Sequence, residues 1–434
     1  MALGGGSFTS YNKVLPGTYI NFVSASSVSG AMSERGVCAV AMELSWGKEK
    51  EAFPVTATEF MTNSIKYFGY GYTHKKMKAL RELFKNASKV YVYRLGEGTK
   101  ATNALGTALY SGVCGNEIKV AVNKNVDDED YFDVVTYYMS TKRDVQKVKS
   151  AKELVDNDYV VWDKDATLAV MAATSMTGGA DATVKGEDYQ LFLDNVENVR
   201  FNVLCVASKD NSVNSLVSAY TKRMREERGV KFQSVLYRTE ADDIGVINVD
   251  TAVKDDNYGE ESLVWYVAGA AAGCAINKSL TNQMYAGEFE LVTAYTQSQL
   301  EEGINSGKFI VHSVDGDYRV LKDINSLVNL TLETGEAFKE NQTVRIVDQI
   351  AYDDAVLFKT KYLGIVPNDE AGRLSLWNDI VEHRKNLQKM RAIENFKDED
   401  IVVEKGNSKT SVVISGSICP VNSMAQLYIT TTVE

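Results

Sequence analysis

Val203-Leu204-Cys205-Val206, the run from Val213 to Glu227 (VNSLVSAYTKRMREE), Val246-Ile247-Asn248-Val249 and the run from Leu263 to Ile276 (LVWYVAGAAAGCAI) follow one another along the chain. The two four-residue runs are wholly or almost wholly apolar, as strands buried on both faces are, and the stretches between them carry helical spacing. Alternation of this kind over residues 187–345 predicts an α/β domain with a largely parallel sheet. LVWYVAGAAAGCAI falls short of the roughly 18–20 apolar residues that cross a bilayer. Its small residues suit a tightly packed core helix, and the Gly269/Gly273 pair is a weak membrane motif without a full-length span.

Upstream, Val37 to Leu44 and Val90 to Leu95 read as strands around a helix from Lys75 to Ala87, whose Met77, Leu80, Leu83 and Phe84 fall at helical spacing. This is the first part of the core, residues 24–97. Before it, Gly4-Gly5-Gly6-Ser7 leads to a Pro16-Gly17 turn and a strand with Tyr19, Ile20 and Phe22, an arm over residues 1–23. Residues 98–186 alternate polar and apolar positions (Ile118 to Val122, Tyr131 to Met139, Tyr159 to Trp162) and read as a β-rich insert ending in the Gly178-Gly179 loop. Residues 346–410 form a C-terminal core domain. Its long helix, Leu374 to Ile393, is expected to put Leu374, Trp377, Ile380, Val381, Leu387 and Met390 on one face.

Residues 411–434 read as a C-terminal β arm. Termini are commonly frayed and polar, yet Leu427, Ile429, Thr431 and Val433 alternate with Tyr428, Thr430 and Thr432, giving two usable strand faces. Such a strand must return to its own sheet or be donated to another subunit, because an unpaired edge is an aggregation template. Gly4 to Gly6, Gly17, Gly406 and Gly416 are the candidate hinges.

Composition narrows the function. The 434 residues hold several domains at roughly 150 residues each, and 44% hydrophobic with 24% charged residues is globular usage. A net charge of -11 disfavours direct nucleic-acid binding and anionic lipid. Cys38, Cys114, Cys205, Cys274 and Cys419 stand far apart, supporting neither a zinc site nor a disulfide framework. MALGGGSFTSYNK resembles no secretory signal.

Catalytic motifs are wanting too. His74, His312 and His383 are isolated, each suited to a surface or locally hydrogen-bonded role. Ala173-Thr174-Ser175-Met176 resembles a subtilisin-like nucleophile turn, but Ala173 occupies the expected Gly position and no His is set to act as base. Gly69-Tyr70-Gly71 and Gly112 to Asn116 lack a P-loop's Gly-Lys-Ser/Thr. Asp255 to Glu260 has its Gly one place too early for a calcium loop, and Asp127 to Asp130 reads as a solvated loop. From Arg373 to Ile393 five cations (Arg373, Arg384, Lys385, Lys389, Arg391) face two acids (Asp379, Glu382), a local +3. It reads as a stripe for an acidic partner, or as an ordinary solvated face with cations drawn to the helix C-terminus.

Taken in order, several segments resemble the PBSX-like contractile tail sheath proteins of phages and phage-tail-like bacteriocins of Gram-positive bacteria. Leu15-Pro16-Gly17-Thr18-Tyr19-Ile20-Asn21-Phe22 is similar to the sheath N-terminal signature, and Gly112 to Val120 to the segment opening the family's β-rich insert, with Cys114 where many relatives have Trp. Val267 to Gly273 followed by Asn277 to Thr281, and Asp323 to Leu327, resemble the sheath α/β domain. The strongest match runs from Val344 to Asp348 through Tyr362-Leu363-Gly364 and Asn368-Asp369 to Pro420-Val421-Asn422-Ser423-Met424 and the final strand.

The resemblance implies an α/β multidomain tail-sheath fold with an α/β domain of subtilisin-like topology, a β-rich insert and extended N- and C-terminal β arms. It implies a non-enzymatic mechanical protein without cofactors or metals, stacked as hexameric rings around an inner tube and contracting to drive that tube through a target envelope. Its partners would be other copies, the inner tail tube protein, and baseplate and tail terminator or collar proteins. Neither direct nucleic-acid contact nor membrane insertion is implied. Assembly is expected in the bacterial host cytoplasm, with release in a virion tail or bacteriocin particle. The family's arms, here Tyr19, Ile20 and Phe22 and then Leu427, Ile429, Thr431 and Val433, add strands to neighbouring subunits. Analogy puts Arg384, Lys385, Lys389 and Arg391 against the tube. The rivals are the sheath of another contractile injection system, a non-contractile phage structural protein and an α/β hydrolase.

Overall fold

The computed structural model describes residues 34–433. Tyr19, Ile20 and Phe22 of the expected N-terminal arm lie outside them. Two compact units are distinguished, residues 34–352 with 420–433, and residues 353–419.

In the larger unit, β1 (Val37–Met42), β2 (Phe53–Thr56), α1 (Ala57–Phe68), α2 (Lys78–Phe84) and β3 (Lys89–Arg94) precede the insert. After it come α3 (Gly186–Val196), β4 (Val203–Cys205), α4 (Asn211–Glu226), β5 (Gln233–Tyr237), β6 (Val246–Val249), α5 (Leu263–Gly273), α6 (Gln297–Asn305) and β7 (Lys308–Phe309). One seven-stranded sheet runs β2-β3-β1-β4-β5-β6-β7. Every pairing is parallel except β2 with β3. Residues on either side of the insert therefore share a single sheet, with Cys38 opposite both Val203 and Val90.

Strand alternation sorts the core into two layers. Cys38, Val40 and Met42 pack with Leu80 and Leu83 of α2 and the length of α5, while Ala39 and Ala41 pack with Phe192 of α3 and Val217 and Tyr220 of α4. Both sheet faces are dry, which is why these strands read as unbroken apolar runs. Burial pushes the Cys38 and Cys205 thiols up, so they stay neutral and serve as small hydrophobes.

α1 begins at a capping box: Glu59 N donates to Thr56 Oγ1 (3.3 Å) and Thr56 N to Glu59 Oε2 (2.8 Å). The Thr-x-x-Glu spacing was the available signal.

The insert is built on an antiparallel sheet whose strands lie in the order Met171–Ser175, Ile118–Lys124, Phe132–Tyr138, Thr141–Val148. Trp46, from the segment after β1, is buried in its core among the rings of Tyr110, Tyr138 and Tyr159 at 5.2, 6.1 and 6.2 Å. Cys114 is buried in the same core.

Farther along are α7 (Asn341–Leu357), α8 (Glu370–Lys389), β8 (Ile401–Lys405) and β9 (Val412–Gly416), the last two an antiparallel hairpin. α8 starts earlier than expected because the Asp369 side chain accepts from Gly372 N (2.8 Å). Its buried stripe is Leu376, Ile380, His383, Arg384 and Leu387 with Val381, while Leu374 and Met390 are exposed. Leu374 and Met390 thus lie off the face expected to hold them. Gly406 and Gly416 also belong to this hairpin, Gly416 paired with Ile401, and so are not the tail's hinges.

The Gly269/Gly273 pair lets α5 approach the end of α2 and the turn after it. A Cβ on Gly269 would lie 2.2 Å from Leu83 O, and one on Gly273 2.1 Å from Asn86 O. Gly269→Val is therefore predicted to destabilise the subunit by about 1–3 kcal/mol through overpacking, read as a lowered calorimetric melting temperature. An unchanged melt would contradict this contact.

Candidate assembly surfaces

The C-terminal tail has a docked root and an uncovered tip. Gln342, in the first turn of α7 and only 3% exposed, donates Nε2 to Val421 O (2.9 Å) and accepts at Oε1 from Ser423 N (3.0 Å) and Ser423 Oγ (3.1 Å). Thr343 Oγ1 donates to Asn422 Oδ1 (3.2 Å). Beneath this contact, Asp323 accepts from Arg345 Nη2 (2.6 Å), Asn341 Nδ2 (2.9 Å) and Leu280 N (2.9 Å). Burial disfavours the Arg345 charge, but the Asp323 carboxylate more than offsets this and raises its pKa. Arg225 and Asp348 form a second buried pair, at 2.6 and 2.8 Å.

Beyond Ser423 the chain makes no strand pairing within the described residues. Leu427 is 82% exposed, Ile429 74% and Val433 90%. Of the two fates open to this segment, return to its own sheet is not the one seen.

In the smaller unit, β8 and β9 pair only with each other (Ile401 with Gly416, Lys405 with Val412), so the outer edge of each carries no further strand among the described residues. A two-stranded ribbon is marginal alone, and this one exposes Val402, Val413 and Ile414. An open groove of about 1070 Å³ runs along β8 and α8, with Leu374, Trp377, Ile401 and Val403 in its lining. Trp377 Nε1 donates to Ile401 O (2.8 Å), fixing the hairpin to the helix.

The four cations proposed from sequence separate. Arg384 is 4% exposed and forms a two-point pair with Asp354 (Nη1–Oδ1 3.0 Å, Nη2–Oδ2 2.5 Å), so it is withdrawn from any surface stripe. Its Nη1 also reaches His383 Nδ1 (2.7 Å), and His383 Nε2 lies 2.9 Å from Asp353 Oδ2. This arrangement makes Nδ1 the acceptor and Nε2–H the donor. Lys385 reaches Asp398 (2.7 Å) at the surface, and Lys389 and Arg391 are exposed. Asp379, counted against the stripe, is paired with Lys361 (2.6 Å) and Tyr362, and its hydrogen bond raises the Lys361 pKa.

The remaining candidates are structural. His74 Nδ1 accepts from Lys76 N (3.2 Å) and its ring stacks on Tyr70 at 4.4 Å; burial lowers its pKa. Asp255 pairs with Lys78 (2.6 Å). Among the described residues no cluster of His, Cys, Asp or Glu is placed to hold a metal, and no helix is long and apolar enough to cross a membrane.

An uncovered apolar tail and a hairpin with open edges are surfaces on which another chain can pair. Comparison with known proteins places the chain among proteins of one family. Family models match consecutive parts of the chain: tail sheath protein Gp18 domain III N-terminal region over residues 35–95, phage tail sheath protein beta-sandwich domain over 96–181, central domain over 182–326 and C-terminal domain over 333–434. The phage-like element PBSX protein XkdK of Bacillus subtilis (strain 168) is 30% identical, covering 98% of this chain and 99% of that protein. The crystal structure of a sheath tail protein from Desulfitobacterium hafniense superposes with a TM-score of 0.82 at 30% identity, over 95% of this chain and 99% of that one. The anti-feeding prophage helical sheath in its contracted state shares the fold, with a TM-score of 0.57 at 13% identity over 97% and 99% of the two chains. The chain belongs to the phage tail sheath protein family, in its PBSX-like branch, and is a contractile tail sheath subunit.

Burial separates the cations energetically. Arg384→Ala leaves Asp354 without its guanidinium and is predicted to cost about 1–3 kcal/mol, whereas Lys389→Ala on the surface should stay within about 0.5 kcal/mol. Denaturant melts of both variants check this, and equal small effects would contradict the buried pair.

Proposed function

We propose that the subunit polymerises as a helical stack of hexameric rings around an inner tube, and that contraction of this lattice drives the tube through a target cell envelope. The observation that carries the reading is the uncovered apolar segment 424–433 in a chain that also presents a two-stranded hairpin with open edges. Leu427, Ile429, Thr431 and Val433 form the arm face that adds to a neighbour's hairpin, and Tyr19, Ile20 and Phe22 supply a second arm. Main-chain hydrogen bonds contribute about 0.5–1.5 kcal/mol each. They depend little on side chains, so pairing of this kind persists while globular faces exchange contacts.

Three basic residues remain for the tube surface, Lys385, Lys389 and Arg391. Baseplate and terminator or collar proteins would close the two ends, with assembly in the host cytoplasm before release in the particle. The strand order β2-β3-β1-β4-β5-β6-β7 supports a subtilisin-like topology for the α/β unit, retained as scaffold without protease chemistry. The likeness in fold to the anti-feeding prophage sheath also favours a second reading, the sheath of another contractile injection system.

Electron microscopy of the chain alone and with its tube partner tests the assembly. Wide hollow cylinders are expected alone, and cylinders around tubes in the mixture. Deleting residues 424–434 should abolish both while leaving a folded monomer, and Lys385→Glu with Lys389→Glu and Arg391→Glu should reduce tube loading several-fold without preventing free cylinders. Monomers or small closed oligomers of the intact chain in both samples would overturn the reading, and unchanged loading of the triple variant would remove the basic residues from the tube surface.

A further inference from the structure

The Gln342 carboxamide bonds the tail in a particular pattern. Nε2 donates to Val421 O and Oε1 accepts from Ser423 N, so both bonds flank Asn422. In a parallel ladder, one residue likewise donates its N–H to the carbonyl before the residue opposite and accepts from the N–H after it. One side chain therefore stands in for one residue of an absent parallel strand. It holds main chain, while Ser423 Oγ on Oε1 (3.1 Å) and Thr343 Oγ1 on Asn422 Oδ1 (3.2 Å) read the side chains that set register.

We propose that Gln342 is the positioning residue of the tail, the point at which a subunit holds its own chain while residues 424–433 cross to a neighbour. The proposal rests on the sheath reading above and adds what fixes the arm's register and carries its load. Gln342 is nearly fully buried, and the adjacent Asn341 is bonded to Asp323 (2.9 Å) and to Gln233 Nε2 (2.9 Å) of β5. Tension on the tail thus passes through the first turn of α7 into the buried Asp323–Arg345 pair and, through Asn341 and Gln233, into the central sheet. The transition is abrupt: Val421 is half-buried and Met424 is fully exposed. Ten residues, 424–433, reach about 33–36 Å when extended, several strand spacings. A one-residue slip at the clamp would exchange the Leu427/Ile429/Thr431/Val433 face for Tyr428/Thr430/Thr432. The clamp therefore decides which face the neighbour receives.

Two variants separate the clamp from general stability. Gln342→Met keeps the volume and removes all three bonds to the tail; Ser423→Pro removes both donors of an exposed tail residue and leaves the core untouched. Residue-resolved hydrogen exchange of the full-length monomer should show the Ser423 amide exchanging at least tenfold faster in Gln342→Met, with amides of the central sheet unchanged. In assembly, both variants should raise the concentration needed for cylinders by tenfold or more. Unchanged Ser423 exchange in Gln342→Met, or wild-type assembly by both variants, overturns the proposal. A wild-type chain that forms no cylinders, while Ser423 exchange still accelerates in Gln342→Met, supports the clamp and overturns the sheath reading alone.

Discussion

A peptide group in an extended strand needs a hydrogen-bonding partner, and an apolar strand face needs cover. Residues 424–433 have neither within the described chain, although Leu427, Ile429 and Val433 are as apolar as the buried strands of the central sheet. The rest of the structure is arranged around this unmet requirement. A rigid α/β unit anchors the segment at Gln342, and a separate unit offers a ribbon of two strands with open edges. In the assembly proposed above, copies of the chain complete one another through this segment, which suits a polymer that must keep its links while its globular faces move.

The parts of the fold legible in sequence are those set by local apolar pattern. Val203–Cys205 and Val246–Val249 are strands because each is buried on both sides, and that leaves a four-residue apolar signature. α5 was legible as a core helix, and Gly269 and Gly273 turn out to be the places where a Cβ would meet the backbone at Leu83 and Asn86. The alternation in 427–433 reads as a strand in need of a partner, and among the described residues the segment pairs with none. α1 was not seen, although Thr56-Ala57-Thr58-Glu59 carried a capping box.

What stayed hidden depends on distant residues. Arg384 looked like one more cation on a charged face, and its burial follows from Asp354, thirty positions earlier, which neutralises it inside the unit. His383 and Asp353 are joined at the same separation. Gln342 carried no signal at all, because a lone Gln at a helix start gains meaning only when residues 421–423 return to it. Buried ionic pairs of this kind contribute little to net stability compared with apolar packing, yet each is costly to break, so they fix the helices they join within the unit. That property suits subunits that must bear load.

In the proposed assembly the tail of one copy pairs with the hairpin of another. Cysteine crosslinking between differently marked copies tests it directly. With the exposed Cys419 changed to Ser and the four buried cysteines left in place, one population would carry Ile429→Cys in the tail and the other Val413→Cys on the outer hairpin strand. Assembled together and oxidised, they should give covalent heterodimers on a non-reducing gel, absent when the same mixture is kept below its assembly concentration. Intact cylinders that yield no heterodimer, from these positions or from their neighbours Leu427→Cys and Val402→Cys, would contradict the account.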